Sequence, residues 1–228
     1  MLSKVVFPTS ADPVLLEITR EGPIFIMTMV DNENRFTTEM CKAICEALDH
    51  VQSVVDDKSL EEAVLLTRGQ DKFYSNGLHM EKAFSIPGFK DHSFMPMLNK
   101  LLLFGIPTVA CVNGVMRSDR GYMCMNEIDL PSPLSADMCA LLRYKMQPHI
   151  YRSVVLEAKR FSGKDALAAH IVDDVAEGVE PTFELAKQVA LKIAPKAKSG
   201  SIYTMIKKNM YPEISPRHMM NTNLKKGN

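Results

Sequence analysis

Short apolar segments alternate with helical segments through the first half of the chain, and this alternation limits the folds open to it. Residues 14–20 and 24–29 are apolar and rich in β-branched side chains. They flank the turn sequence Glu21-Gly22-Pro23 and therefore predict a β-hairpin. Residues 63–67 and 108–112 predict two further strands. Strands that alternate with helices in this way predict an α/β fold.

Helical periodicity begins soon after the hairpin. Thr37 or Thr38 can cap a helix in which apolar residues recur every three or four positions. Another helix is predicted at about residues 96–104, because proline is tolerated in the first helical turn, where Pro96 would lie. The second half predicts helices at residues 136–146, 150–161, 164–170, 183–193 and 201–210, and a small strand at residues 172–175.

Composition argues against several classes of protein. The 27 Lys and Arg residues balance 27 Asp and Glu residues, so the net charge indicates neither a nucleic-acid partner nor an anionic membrane. No apolar run reaches the length that spans a bilayer. The 5 cysteines fit neither a zinc ribbon nor a disulfide framework, which indicates a reducing compartment. Cys41, Cys45 and His50 are spaced as half a metal site would be, but buried free thiols are the preferred interpretation.

A first candidate for chemistry is GYMCMNEIDL, residues 121–130, which places Glu127 in an apolar run. At the end of a buried strand or in a pocket wall, desolvation raises the pKa of a carboxyl group toward neutrality, where it can transfer protons. The alternative is that Glu127 is a solvated residue of the loop before Pro131 and Pro133.

A second candidate is DKFYSNGLHM, residues 71–80. Gly77 allows backbone N–H groups to point into a cleft, where the N–H of Leu78 can hold the oxygen of a polarised carbonyl. Asn76-Gly77 is also a common hairpin turn, so the residues alone leave this alternative open.

Five blocks of the chain resemble one family. They are KFYSNGLHM (72–80), IPTVACVNG (106–114), RGYMCMNEIDL (120–130), VLEAKRFSGKDALAAHIVDDV (155–175) and IYTMIKKNMYPEI (202–214). In this order they resemble the crotonase superfamily, and within it the Δ3,Δ2-enoyl-CoA isomerases of the peroxisomal type. The resemblance implies a crotonase-like ββα spiral with two roughly perpendicular sheets in residues 1–134. It also implies a helical oligomerisation region in residues 135–212, followed by a loose tail at residues 213–228.

The resemblance also implies roles for particular residues. Leu78 corresponds to the donor of an oxyanion-hole N–H, and Glu127 corresponds to the catalytic base. The residues that bind acyl-CoA would be Ser75, Asn76, Gly77, Leu78, His79 and Met80. Acyl-CoA would then be the substrate rather than a cofactor, and no metal is implied.

The implied reaction moves the double bond of a 3-enoyl-CoA to the 2-trans position in fatty-acid β-oxidation. One carboxylate removes a proton from C2 and returns one to C4, whereas a hydratase of the same fold uses two carboxylates to add water. Only the Glu127 position is filled here, so an isomerase is predicted. The alternative is a catalytically dead protein of the same fold that binds acyl-CoA or only oligomerises.

The sequence departs from the family pattern after Gly114. A helix with the second oxyanion donor and then a strand should follow, but residues 115–120 resemble the segment that comes after that strand. A two-residue Asn-Gly link joins only antiparallel strands, because parallel strands need a crossover of about a dozen residues. Either residues 115–116 leave their usual position in the sheet or residues 108–112 pair differently. A weak or inactive enzyme is therefore expected.

Smaller features lead to further expectations. His79 stands where the family commonly has Asp and is interpreted as a polar residue at a helix start. His170 stands where a helix-ending Gly is usual, which predicts a strained or altered cap rather than a chemical role. Lys207 and Lys208 are candidates for CoA phosphates, although a solvated helix face is the simpler interpretation. The resemblance implies a homotrimer or hexamer.

The compartment implied by the resemblance is the peroxisome. The C-terminal residues NLKKGN, however, do not form a Ser-Lys-Leu type signal. Without such a signal, a cytoplasmic location is the alternative.

Overall fold

The structure is a computed structural model that describes residues 4–9, 13–70, 72–112, 121–130 and 132–214. It divides the chain into two compact units, one of Met1–Gly114 with Val179–Met205 and one of Val115–Gly178 with Ile206–Asn228. The predicted boundary at residue 134 stays a prediction. The predicted gap at 114/115 and nearly all of the predicted tail lie outside the described residues.

The first unit contains a five-stranded sheet in the order β1-β2-β3-β4-β5. Antiparallel pairs join β1 to β2 and β2 to β3, which confirms the predicted hairpin, and β3, β4 and β5 are parallel. The perpendicular second sheet implied by the resemblance is not found among the described residues. The strands are β1 (Val5–Phe7), β2 (Leu16–Glu21), β3 (Ile24–Met29), β4 (Val64–Gly69) and β5 (Thr108–Cys111).

Helices cover both faces of this sheet. Phe25 and Met27 of β3 belong to the core cluster shared with α1 (Thr38–Asp57) and α3 (Met95–Leu102). Ile24 and Ile26 point to the opposite face and pack with α7 (Val179–Ile193). Successive side chains of a strand alternate between faces, so a strand that is covered on both sides reads as a continuous apolar run.

Helix α1 begins and packs as its sequence predicts. The Thr37 hydroxyl accepts a hydrogen bond from the Met40 N–H at 3.2 Å, which is an N-cap. The predicted apolar positions are all buried, and they are Met40, Ile44, Ala47, Leu48 and Val51.

The segment between β4 and β5 is divided into three helical pieces. They are α2 (Met80–Ser85), a π-helical turn (Lys90–Phe94) and α3, and Pro96 lies in the first turn of α3 as predicted. Strand β5 pairs in parallel with β4, from Leu65 opposite Thr108 to Arg68 opposite Cys111. Residues 108–111 therefore keep a parallel partner, while residues 115–116 lie outside the described part of the chain.

The second unit contains α4 (Ala136–Lys145), α5 (Pro148–Leu156) and α6 (Gly163–Ala168). Ser162 and Asp165 form a capping box at the start of α6. The helix predicted to extend to residue 161 ends at Leu156, because Ala158 has a positive φ of 44° and Phe161 pairs with Met123.

The strand predicted at residues 172–175 is wrong, since these residues have an irregular backbone. The last helix of the described residues is α8 (Ser201–Met210). Within the described ranges, no helix is both long enough and apolar enough to cross a membrane.

Candidate functional site

The loop that carries Leu78 is held by an isolated parallel bridge to Phe36. The Phe36 N–H donates to the Gly77 carbonyl at 2.8 Å, and the His79 N–H donates to the Phe36 carbonyl at 3.1 Å. Gly77 has a φ of +76°, in the left-handed region that glycine adopts at little cost. Asn76-Gly77 thus belongs to an extended loop, and the alternative of a hairpin turn is wrong.

The Leu78 N–H makes no hydrogen bond in this bridge. The hydrogen bonds of the bridge engage the Gly77 carbonyl and the His79 N–H, and the Leu78 N–H donates to no acceptor among the described residues. Leu78 is half-buried, and its side chain packs against the main core cluster. A backbone N–H without a protein acceptor is available to a ligand oxygen.

A buried asparagine anchors the same loop. Asn34 is 1% exposed, and its Nδ2 donates to the Phe73 carbonyl at 2.9 Å. The Ser75 hydroxyl donates to the Asn34 carbonyl at 2.7 Å and accepts from the Gly77 N–H at 3.2 Å. Sequence reasoning missed Asn34, whose only signal is an Asn in a polar loop where left-handed backbone is needed, as its φ of 49° shows.

A charged pair supports the loop on its exposed side. The Asn76 N–H donates to the Glu33 carbonyl at 2.9 Å, and Asn76 Nδ2 donates to Glu33 Oε1 at 3.2 Å. Arg35 Nε donates to Glu33 Oε2 at 2.6 Å. This hydrogen bond from Arg35 is the main cause that holds the pKa of Glu33 below its ordinary value, so the carboxylate is ionised at neutral pH.

A cavity of about 750 Å³ opens beside this loop in the first unit. Two of the predicted binding residues, His79 and Met80, line it. Arg35, Thr37 and Lys82 also line it and were not predicted. His79 precedes α2, as its interpretation as a helix-start residue requires, yet its side chain makes no capping hydrogen bond.

Glu127 lies on a turn and not at the end of a strand. The Asp129 N–H donates to the Asn126 carbonyl at 3.0 Å, and the Ser132 N–H donates to the Glu127 carbonyl at 2.9 Å. The Glu127 side chain is half-buried, and its Oε2 is buried without a hydrogen-bond partner among the described residues. The position is thus intermediate between the buried-strand prediction and the solvated-loop alternative.

The apolar residues around Glu127 are less buried than their composition predicts. Tyr122 and Ile128 are more than half exposed. Among the described residues, this stretch pairs through the bridge between Met123 and Phe161. The Cys124 thiol supports it by donating to the Ala158 carbonyl at 3.2 Å. The turn at Asn126 ends the extended backbone, so the run cannot continue as a strand.

The two sets of candidate residues belong to different units. Residues 75–79 form one loop of the first unit, and Met80 begins α2. The six predicted binding residues thus lie together in the first unit. Glu127 lies in the second unit.

The cysteines of α1 behave as free thiols. Cys41 is buried, and desolvation raises the pKa of its thiol to about 12, which disfavours the thiolate that a metal requires. The His50 ring packs against Phe7, with ring centroids 5.8 Å apart. No cluster of three or more His, Cys, Asp or Glu residues suited to a metal ion occurs in the described parts of the chain.

Solved structures share this fold. A probable enoyl-CoA hydratase from Mycobacterium tuberculosis superimposes with a TM-score of 0.72 at 18% identity, over 88% of this chain and 89% of that one. An enoyl-CoA hydratase/isomerase family protein from Pseudomonas syringae gives a TM-score of 0.71 at 16% identity, over 88% and 93%. The fold is therefore that of the crotonase-type hydratases and isomerases.

Sequence relatives narrow the assignment, although no protein-family model matches the chain. Enoyl-CoA delta isomerase 3 of Arabidopsis thaliana is 30% identical over 223 residues, which cover 86% of this chain and 92% of the relative. The peroxisomal enoyl-CoA delta isomerase 2 of the same plant is 29% identical over 225 residues, with coverage of 86% and 92%. The chain belongs to the enoyl-CoA delta isomerase family of the crotonase superfamily.

Proposed function

We propose that this protein is a Δ3,Δ2-enoyl-CoA isomerase that shifts the double bond of a 3-enoyl-CoA to the 2-trans position. The observation that carries the proposal is the Glu127 carboxylate, whose Oε2 is buried without a partner in the described residues. Buried polar atoms are normally paired, so an unpaired carboxylate oxygen is suited to a substrate proton. The names of the relatives support this choice of reaction.

In the proposed mechanism, Glu127 carries one proton between two carbons. Its carboxylate takes the proton from C2, and the electrons of the broken C–H bond form a dienolate with its negative charge on the thioester oxygen. The carboxylic acid then returns the proton to C4, the C2=C3 double bond forms, and the carboxylate is regenerated. A positioned acid–base group of this kind typically contributes about 10²- to 10⁴-fold in rate.

The dienolate oxygen needs hydrogen-bond donors, and the proposal assigns one of them to the Leu78 N–H. Loss of one oxyanion donor typically costs about 100- to 1000-fold in kcat. The family's second donor falls in the block that the sequence lacks at 114/115, so we propose a slow enzyme.

We propose that acyl-CoA binds along residues 75–80 and the neighbouring cavity. Lys82 in the lining supplies a cation suited to the phosphates of CoA. Acyl-CoA is the substrate here, and the proposed chemistry uses no other cofactor. The relatives named peroxisomal support a location in the peroxisome.

The proposal is tested by conversion of 3-enoyl-CoA to its conjugated product, followed by ultraviolet absorbance. Glu127→Gln removes the proton carrier at nearly constant volume and should lower kcat by at least about 100-fold. Asp129→Asn is the matched control, because Asp129 is an exposed carboxylate two residues further along the chain. Equal activity of the wild type and Glu127→Gln would contradict the mechanism.

The second candidate is a non-catalytic protein that binds acyl-CoA or only oligomerises. The departure from the family pattern after Gly114 favours it. A wild-type protein that unfolds cooperatively and binds a saturated acyl-CoA in a calorimetric titration, but converts no 3-enoyl-CoA, would establish this candidate over the isomerase.

A further inference from the structure

The Arg35 side chain makes three hydrogen bonds, two of which join the Leu78 loop to the segment before α1. Its Nη1 donates to the carbonyl of Asn76 at 3.1 Å and to the carbonyl of Leu78 at 3.3 Å. Its Nε donates to Glu33 Oε2 at 2.6 Å. The Arg35 side chain is 32% exposed. Its bonds to Leu78 and Glu33 are partly buried and therefore stronger than fully solvated ones, whereas the bond to the Asn76 carbonyl is exposed.

The two carbonyls held by Arg35 flank the amide that the proposed reaction uses. The Leu78 N–H belongs to the peptide between Gly77 and Leu78, whose own carbonyl accepts from the Phe36 N–H at 2.8 Å. Three successive carbonyls of the loop are thus held by donors from two successive residues, 35 and 36. This arrangement restricts rotation of the peptide plane that carries the Leu78 N–H, and the bond to the Gly77 carbonyl polarises that N–H.

We propose that Arg35 is a positioning residue that aims the Leu78 N–H at the thioester oxygen, with Glu33 orienting the guanidinium. The inference rests on the proposed isomerase function. An oxyanion donor is effective only when it is fixed before the charge develops, and a misplacement of about 1 Å can cost about 100-fold in rate. The guanidinium acts through the loop and contacts no reacting atom in this role.

The geometry explains why the residue is an arginine. A guanidinium is planar and presents its donors in fixed directions, so it serves Glu33 on one edge and two carbonyls on another. A lysine ammonium is a compact point charge on a flexible stem and can replace only part of this set. Arg35 also lines the cavity, and direct contact with a CoA phosphate is the competing role.

Steady-state kinetics separate the two roles. If Arg35 positions the amide, Arg35→Met should lower kcat by about 10- to 100-fold and leave KM within about threefold. Arg35→Lys should restore part of kcat, and Glu33→Gln should cause a smaller loss of kcat than Arg35→Met. A rise in KM at constant kcat would assign Arg35 to ligand binding and overturn the proposal.

Arg20→Met is the matched control. The Arg20 guanidinium also donates to a loop carbonyl, that of Gly22, at 2.8 Å, and it lies over the Phe25 ring. It belongs to the hairpin at the other end of β3, so its loss should leave kcat unchanged. Thermal unfolding identifies any variant that is not folded at the assay temperature. If Arg35→Met does not fold, Glu33→Gln still tests the proposal, because it keeps the Arg35 guanidinium.

A readout without turnover separates this inference from the proposed function. Acetoacetyl-CoA ionises to an enolate that absorbs in the ultraviolet, and oxyanion donors favour the bound enolate. The wild type should increase this absorbance, whereas Arg35→Met should bind the ligand with little increase. A wild type that neither isomerises 3-enoyl-CoA nor stabilises the enolate contradicts the proposed function. A wild type that does both, with Arg35→Met equal to it, contradicts the role of Arg35 alone.

Discussion

At the scale of single residues, Gly69 and Gly77 support the Leu78 loop for different physical reasons. A Cβ at Gly77 would meet no atom within 4 Å, so only the positive φ requires glycine there. A Cβ at Gly69 would lie 2.1 Å from the Phe73 carbonyl oxygen, which is backbone and cannot turn aside as a side chain can. Gly69 therefore permits the close approach of the loop to the end of β4.

Gly77→Ala should destabilise the protein by about 1–2 kcal/mol, the cost of a left-handed L-residue. It should also lower isomerase activity, because Leu78 is the next residue. Gly22→Ala is the control, since Gly22 has a φ of +58° and an equally open Cβ site but lies in the hairpin. Urea unfolding and initial rates measure the two effects. Unchanged stability in both variants would contradict the conformational argument.

Lys207 differs from the solvated residue that its sequence position suggested. It is half-buried, whereas Lys208 is exposed. Desolvation, followed by the charge of Lys145, lowers the pKa of Lys207 to about 8. Below that pH the ammonium is present in both folded and unfolded chains, and the folded state bears the unfavourable burial. Between this pKa and the ordinary value of 10.5 the unfolded state binds more protons, so stability rises with pH.

Lys207→Met should therefore stabilise the protein at pH ~7, and the gain should diminish as the pH approaches ~10. Lys208→Met is the control on the same helix and should show little change at either pH. Thermal unfolding at the two pH values measures the effect. A gain that is equal at both would show that it does not come from the ammonium.

At the scale of elements, the segments with strong local patterns were predicted correctly. The β2–β3 hairpin and α1 are set by turn residues, a cap and apolar periodicity, all of which are local in the sequence. The failed strand prediction at residues 172–175, and the run at residues 121–130 that ends in a turn, both concern short apolar runs. Runs of this length are ambiguous, because the hydrogen bonds that make a strand come from elsewhere in the chain.

The end of α6 shows a local departure that the sequence indicated. His170 has a φ of 53°, and its N–H donates to the Leu167 carbonyl at 3.0 Å. The Ile171 N–H donates to the Ala166 carbonyl at 2.8 Å, which completes a Schellman motif. The strained cap predicted for this position is thus confirmed.

His170→Gly should stabilise the protein by about 0.5–1 kcal/mol. Relief of the left-handed strain, about 1–2 kcal/mol, is partly offset by the greater freedom of glycine in the unfolded chain. Differential scanning calorimetry should show a rise in Tm of about 1–4 °C. His170→Ala keeps the positive φ without glycine and should give no such rise. A fall in Tm for His170→Gly would show that the imidazole makes a stabilising contact.

At the scale of the whole molecule, the exposed face of α8 bears on assembly. Ile202, Met205, Ile206 and Met210 are each more than half exposed and recur at the spacing of one helix face. The resemblance implies a homotrimer or hexamer, so we expect a second copy of the chain to cover this face. An apolar row of this kind is costly to leave in water.

Light scattering coupled to size exclusion should therefore show a trimer or hexamer for the wild type. Ile206→Glu places a charge in the row and should shift the protein toward the monomer. Lys208→Glu introduces the same charge on an exposed polar position of α8 and should keep the oligomer. A monomeric wild type at micromolar concentration would exclude this assembly.

The candidate site was predicted in part. Residues 75–80 and Glu127 were identified through resemblance of short blocks. The structure places residues 75–79 in one bridged loop and Met80 at the start of α2. Asn34 and Arg35 were not identified, although both hold that loop. Their roles depend on hydrogen bonds to residues about 40 positions further along the chain, a separation that no local pattern encodes.

The sequence by itself determined the α/β class, the hairpin, the capped helix α1 and the family. These features depend on apolar periodicity, on turn residues and on short blocks that resemble one family in its order. Each of these is a local property of the chain. Only the tertiary structure decided that, among the described residues, the Leu78 N–H has no acceptor and a carboxylate oxygen of Glu127 is buried without a partner. Burial and hydrogen-bond pairing are set by neighbours distant in sequence, so they exist only once the chain has folded.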